Sequence, residues 1–379
     1  QGKVYVFKAQ PYGYWVTSEE YRSAGWYDFR VGKLQIRVLD GQTGQGRADQ
    51  AVLLQRWQAD GHHTVVMSVR TDAQGWLKLD PPLVGQESYL VSAQSPTDGQ
   101  SKASEVYRGS GPYTFVLGNA AVIGKVEDAV SGAALSGKIV EAWETLANGS
   151  LVLVAKRATD ANGLTKFDLD GVGTGRKYHL KSQPYLQSVE SGELTGVGEQ
   201  LLKAGKLQVQ VLDGRTGGSY AWRTVHLLEQ GNNGVLSPQG DYATDGEGRL
   251  RLDPAHLGVQ GYVVRAPSLV DGTDRDSAVY EQGGSYQFKV GGAGLTLWLK
   301  DQISNGVLVG QEVQAWEKGA DGILVWKKSG ITDAAGKIAF DLDGLGQGKV
   351  YVFKAQPYGY WVTSEEYRSA GWYDFRVGK

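Results

Sequence analysis

Cysteine is absent from the 379 residues, which excludes disulfides, iron–sulfur clusters and thiol chemistry. Proline is scarce, at 10 residues. Long apolar runs are missing too: none reaches the ~18 residues of a membrane helix, so no membrane span is expected. Charge of one sign is also lacking. The 39 basic and 41 acidic residues leave a formal charge of −2 with no run of like charge, so nucleic acid and anionic membranes are poor partners. No stretch sustains a 3.6-residue apolar period, so very little helix is expected. The best candidate is a single turn over residues 18–25, with Ser18 as cap and Gly25 as stop. No signal peptide is visible. The sequence opens inside a repeat, and any export signal is expected outside these residues.

What is present is glycine, at 54 residues, and aromatics, with 20 Tyr and 11 Trp, too apolar a mixture for a disordered linker. The first 33 residues return without a change at 347–379, an offset of 346. A blurred copy at 174–206, an offset of 173, keeps 12 of the 33 letters. The marks Thr71-Asp72-x-x-Gly75, Thr159-Asp160-x-x-Gly163, Thr244-Asp245-x-x-Gly248 and Thr332-Asp333-x-x-Gly336 are spaced by 88, 85 and 88. The repeat therefore has two levels, an A-type and a B-type unit in alternation. The reading is a partial B-type unit at 1–32, then A-type 33–119, B-type 120–205, A-type 206–292 and B-type 293–379.

Each unit shares one grammar. An alternating strand opens it, such as Leu34-Gln-Ile36-Arg-Val38-Leu39-Asp40, and stops at a Gly-rich turn. Two more strands lead to the T-D-x-x-G mark. There Asp starts a turn and Gly takes the left-handed position between antiparallel strands. Further strands follow, and the unit closes on aromatics six apart: Tyr107 and Tyr113, Tyr280 and Tyr286, Tyr367 and Tyr373. The unit at 120–205 holds Leu194 and Gln200 there instead. About seven short strands per unit, with turns every 8–12 residues, predict an all-β tandem array of small antiparallel β-sandwiches. Units this small bury only about 60–65% of their unfolded surface and need support from neighbours. Short junctions such as Gly32-Lys33 and Gly205-Lys206 predict a stiff array.

The run that starts at Thr332-Asp-Ala-Ala-Gly and ends at Gly359-Tyr360 resembles the carboxypeptidase-regulatory-like family, as does the opening strand Val122-Ile-Gly-Lys-Val126-Glu-Asp128. The resemblance spans all four units on short motifs. It implies a transthyretin-like, Ig-like sandwich and a non-catalytic module, often strung along large bacterial surface proteins. The lack of cysteine suits such exported proteins.

Other constellations favour plainer readings. Asp72, Asp160, Asp245 and Asp333 each supply one carboxylate, whereas a calcium site needs about six oxygens, so turn chemistry is preferred. Asp168/Asp170 and Asp341/Asp343 are spaced like a hydrolase pair, but each ends a strand and the A-type units keep only Asp80 or Asp253. They read as solvated strand ends with some attraction for cations. His62-His63 has no counterpart in the second A-type unit. No Ser–His–Asp set recurs, and no cofactor or metal is expected. The best contact candidates are Tyr358, Tyr360 and Trp361 with their copies Tyr12, Tyr14 and Trp15, because exposed rings stack on sugars and on partner proteins.

Residues 1–32 are the back third of a sandwich and would expose rings and strand edges. Either the natural polypeptide continues upstream with another identical repeat, which the exact recurrence favours, or strand complementation joins 1–32 to another chain. The functional expectation is a structural, non-enzymatic stretch of a secreted bacterial fibre or giant adhesin at the cell surface. Its partners would be neighbouring repeats of the same or another copy. The alternative is a polysaccharide-binding array using the Tyr and Trp clusters.

Overall fold

The computed structural model describes residues 2–12, 14–58, 60–81, 84–292 and 294–378. Gln1, Ala293 and Lys379, which bound the predicted units, lie outside the described residues. The described residues are all-β, and no helix among them is long and apolar enough to cross a membrane.

Two compact units are present. The first comprises Gln1–Glu127, Ala134–Gln183 and Val189–Leu202; the second comprises Asp128–Ala133, Pro184–Ser188 and Lys203–Lys379. Four pairs of sheets, each of three plus four strands, run along the chain, together with one two-stranded sheet near its start. The pairs are called sandwiches 1 to 4 and span residues 34–117, 121–204, 207–290 and 294–377.

In sandwich 1 the three-stranded sheet is Trp76–Leu79, Leu34–Asp40 and Tyr113–Leu117 in spatial order. The four-stranded sheet is His63–Arg70, Ala51–Trp57, Ser88–Gln94 and Ser101–Ala103. Alternation decides the faces. Leu34, Ile36 and Val38 are fully buried between the sheets and meet Val52, Leu54 and Val91 of the opposite layer. A bulge recurs in the second strand, at Leu54/Gln55, Ala142/Trp143, Leu227/Leu228 and Ala315/Trp316. An extra residue at the same place in every copy is a built feature of the fold.

The structure corrects two expectations. The three-stranded sheets are mixed, because the closing strand runs parallel to the opening one: Val38 lies opposite Phe115, Val211 opposite Phe288 and Leu299 opposite Phe375. The chain crosses from the edge of the four-stranded sheet to the other layer before its last strand, so that strand arrives in the direction of the first. The turn over 18–25 is not helical. The Ser18 amide donates to the Phe7 carbonyl, the Ser18 hydroxyl accepts the Phe7 amide, and Tyr21 pairs with Tyr5. These cross-chain bonds consume the groups a helical cap would have used.

The T-D-x-x-G marks are tight hairpin turns. One Asp72 carboxylate oxygen accepts the amides of Gln74 and Trp76, at 2.9 and 2.8 Å. Gly75 sits at φ 82°, and a Cβ there would come within 2.6 Å of the Val38 carbonyl. Thr71 is buried; its hydroxyl accepts the Gln50 amide and donates to the Arg47 carbonyl, tying the turn to the neighbouring loop.

Candidate functional site

The carboxylate pairs hold one sandwich to the next. Asp168 and Asp341 are 5% and 2% exposed, so the inner member of each pair is no solvated strand end, although Asp170 and Asp343 are exposed. Within the first unit, the Asp168 carboxylate accepts the amides of Gly118 and Ala120 at 3.2 and 3.3 Å. Its own amide donates to Asp98, and Lys102 donates to the Asp168 carbonyl at 2.6 Å and to Asp170 at 2.9 Å. Within the second unit, the Arg275 guanidinium donates to Asp341 at 2.8 Å and also to Asp343. The Asp341 amide donates to Asp271 at 2.7 Å, and Lys328 reaches the same Asp271 oxygen at 2.6 Å. Burial pushes Asp271 up, but the Asp341 amide, the Lys328 ammonium and Thr273 outweigh it, so Asp271 titrates below its ordinary range. A buried carboxylate ringed by amides and cations is a structural clamp with no room for a water or a substrate oxygen.

The aromatic loops fasten the opposite ends of the sandwiches. In the first unit, the Tyr14 hydroxyl donates to the Lys78 carbonyl at 2.5 Å, while the Lys78 ammonium lies 5.5 Å from the centre of the Tyr12 ring. Asp80 accepts the amides of Gly32 and Lys33 at 2.7 and 3.1 Å. Burial, then the Asp80 charge, pushes the Tyr14 phenol up. In the second unit, the Tyr185 hydroxyl donates to Asp128 at 2.7 Å and Arg251 covers its ring at 5.1 Å. Gln187, at the place of Tyr14, accepts the Asp253 amide at 2.5 Å and donates to Tyr242 at 2.8 Å. Asp253 accepts the amides of Gly205 and Lys206 at 2.7 and 3.2 Å; burial nonetheless raises its pKa, with those amides opposing. Gly205 has φ 75°, and a Cβ there would lie 2.9 Å from the Tyr185 ring. The junction residue is thus glycine for two reasons: a left-handed backbone and a ring seated on it.

The six predicted contact residues therefore divide. Tyr12 and Tyr14 pack against sandwich 1. Trp15 is 67% exposed. Tyr358 donates to Asp301, whose pKa is held at about 2 by the Ser304 amide and this phenol. Tyr360 and Trp361 are 52% and 48% exposed. Sequence reasoning missed Asp98/Asp271 and Lys102/Arg275 as clamp residues. The available signal was that charge of the same sign recurs at these places 173 residues apart. It also missed an exposed aromatic pair on sandwich 4, where Trp298 and Trp372 lie 5.8 Å apart with the Lys337 ammonium 4.7 and 5.4 Å from their ring centres.

No family model and no curated protein matches the sequence. Among solved structures, the chain is similar to the Bacillus anthracis TIE protein at 13% identity and a TM-score of 0.17, covering 94% of this chain and 75% of that one. It is similar to the shaft pilin spaA of Lactobacillus rhamnosus GG at 10% identity and a TM-score of 0.20, covering 68% and 96%. A streptococcal ancillary pilin gives 12% identity and a TM-score of 0.20, covering 68% and 98%. Overlaps this low carry no function across.

Proposed function

We propose that the chain is a non-catalytic structural stretch of an extracellular bacterial fibre or giant adhesin, secreted and held at the cell surface. Residues 33–119, 120–205, 206–292 and 293–379 are its sandwich modules, of carboxypeptidase-regulatory-like kind, and 1–32 is a partial one. The observation that supports this reading is the recurrence of the clamp. Asp98, Lys102, Asp168 and Asp170 return as Asp271, Arg275, Asp341 and Asp343, and in both places they join loop to loop between sandwiches. Carboxylates that a hydrolase would aim into a cleft are spent here on mechanical attachment. Small sandwiches joined in this way share stability with their neighbours and bear load in series.

Pulling on the ends of the chain tests the reading. Modules of about 85 residues should unfold one at a time, each adding roughly 29 nm of contour length at ~3.4 Å per residue. A single cooperative rupture, or a featureless ramp, would argue against independent load-bearing modules. Hydrolysis of any polymer, lost on Asp341→Asn, would remove the non-catalytic claim.

A second reading, a polysaccharide-binding array, draws on the exposure of Trp15, Tyr360 and Trp361. It would take precedence if glycan-array binding appeared and dropped on Trp361→Ala.

A further inference from the structure

Residues 347–378 complete sandwich 4. Tyr351 and Phe353 are 1% and 0% exposed, opposite Glu317 and Ala315 in the register of Glu312–Lys318 with Val350–Ala355. Phe375 lies alongside Leu299 on the parallel strand Gly371–Val377. The same letters at the start of the chain carry the local half of this arrangement. Tyr5 bridges Tyr21 as Tyr351 bridges Tyr367, and Lys8–Ala9 pairs with Val16–Thr17 as Lys354 and Ala355 pair with Thr363 and Val362. The core-facing half is open: Tyr5 and Phe7 are 60% and 54% exposed, and with Tyr21 and Tyr27 they line a surface cavity of about 550 Å³.

We propose that this open face is a docking surface for the front strands of a sandwich 4, residues 294–346, of a second copy of the chain. Residues 1–33 of one copy take the place of 347–379 in the next. The register follows from the offset of 346: Tyr5 falls opposite Glu317, Phe7 opposite Ala315, and Phe29 beside Leu299. Complementarity is supplied by identity, because every contact the incoming segment would make is one that the same side chains already make in sandwich 4. The join is head to tail and does not close on itself in a pair, so repetition builds a filament. In the intact chain the tethered residues 347–379 hold the seat through their effective concentration, and exchange requires that they be weakened. This proposal rests on the modular reading above only in treating residues 294–346 as a receiving half.

The test uses the full chain carrying Phe353→Asp, which places a charge at a fully buried position of the resident segment and leaves Phe7 intact. Sedimentation velocity across a wide concentration range should give one species for the parent chain. Phe353→Asp should give head-to-tail oligomers that grow with concentration, and Phe353→Asp with Phe7→Asp should give one species again. A chain ending at Gly346 lacks the resident segment altogether and should assemble likewise, with the same loss on Phe7→Asp. Single species for both Phe353→Asp and the shortened chain would overturn the proposal. So would association that survives Phe7→Asp, which would be unspecific adhesion of an opened sandwich. Either failure leaves the stepwise unfolding under force, and the structural reading it tests, untouched.

Discussion

Residues 2–33 and 348–378 carry the same letters and fold differently. At the end of the chain, Gly371–Val377 is a strand, and Tyr351 is 1% exposed. At the start, residues 26–31 form no strand, Tyr5 is 60% exposed and Trp26 stands fully in solvent. What survives without the front strands is what the segment can make by itself: the pairing of Tyr5 with Tyr21 and the short ladder of Lys8–Ala9 with Val16–Thr17. What is lost is the strand whose only partner would be the opening strand of a sandwich. Strand formation here is therefore a property of the pairing surface more than of the seven residues that form it.

The comparison can be broken most directly at its phenylalanines. Phe353→Ala removes a fully buried ring from sandwich 4 and should cost about 3–5 kcal/mol. Phe7→Ala, the same change in the same letters, should stay within about 0.5 kcal/mol because the ring is exposed. Amide hydrogen exchange in Gly294–Asp301 and in Leu34–Asp40 would measure the two separately; equal losses would show that the two contexts do not differ in the way their exposure indicates.

The clamps sharpen the same lesson. Arg275→Ala strands the Asp341 carboxylate, which is 4% exposed, and should cost about 3 kcal/mol. Lys102→Ala at the matching place should cost about 1 kcal/mol, because Asp168 is satisfied by the Gly118 and Ala120 amides and the lysine bonds a carbonyl and an exposed carboxylate. Chemical denaturation of each variant, followed at the sandwich it touches, would reveal whether the order is reversed.

A smaller effect is expected at the junction. Gly205→Ala forces a left-handed alanine against Tyr185 and should cost about 1–2 kcal/mol by thermal unfolding. A neutral result would mean that the ring moves aside at no cost.

The smallest effects are of opposite sign in pH. The Asp271 pKa is lowered from 3.8, so its stabilisation is present above that value and lost as pH falls through the folded pKa. The Asp253 pKa is raised from 3.8, so the folded state binds its proton more tightly and gains stability as pH falls through the raised value. In a thermal-unfolding pH series, Asp271→Asn should flatten part of the acid loss, and Asp253→Asn should remove a gain just above pH 3.8. Parallel behaviour of the two variants would contradict these environments.

Much of this architecture was legible as spacing. Alternation at Leu34, Ile36 and Val38 marked the buried face, and the T-D-x-x-G marks located the hairpins, because period-2 patterning and turn chemistry are local. The candidate contact residues were legible as aromatics but not as roles. Nothing near Tyr14 in the chain announces Lys78, and nothing near Asp168 announces Asp98, since these partners lie 64 and 70 positions apart.

The amino-acid order by itself determined an all-β chain, its two-level period and the positions of its turns, since each depends on residues a few places apart. Only tertiary structure decided that the closing strand runs parallel to the first, that Asp168 and Asp341 are buried clamps, and that one 33-residue text is a finished edge in one place and an open face in another. Those outcomes depend on which distant surface is present to pair with, and desolvation and hydrogen bonding reward a strand or a carboxylate only when that partner is there.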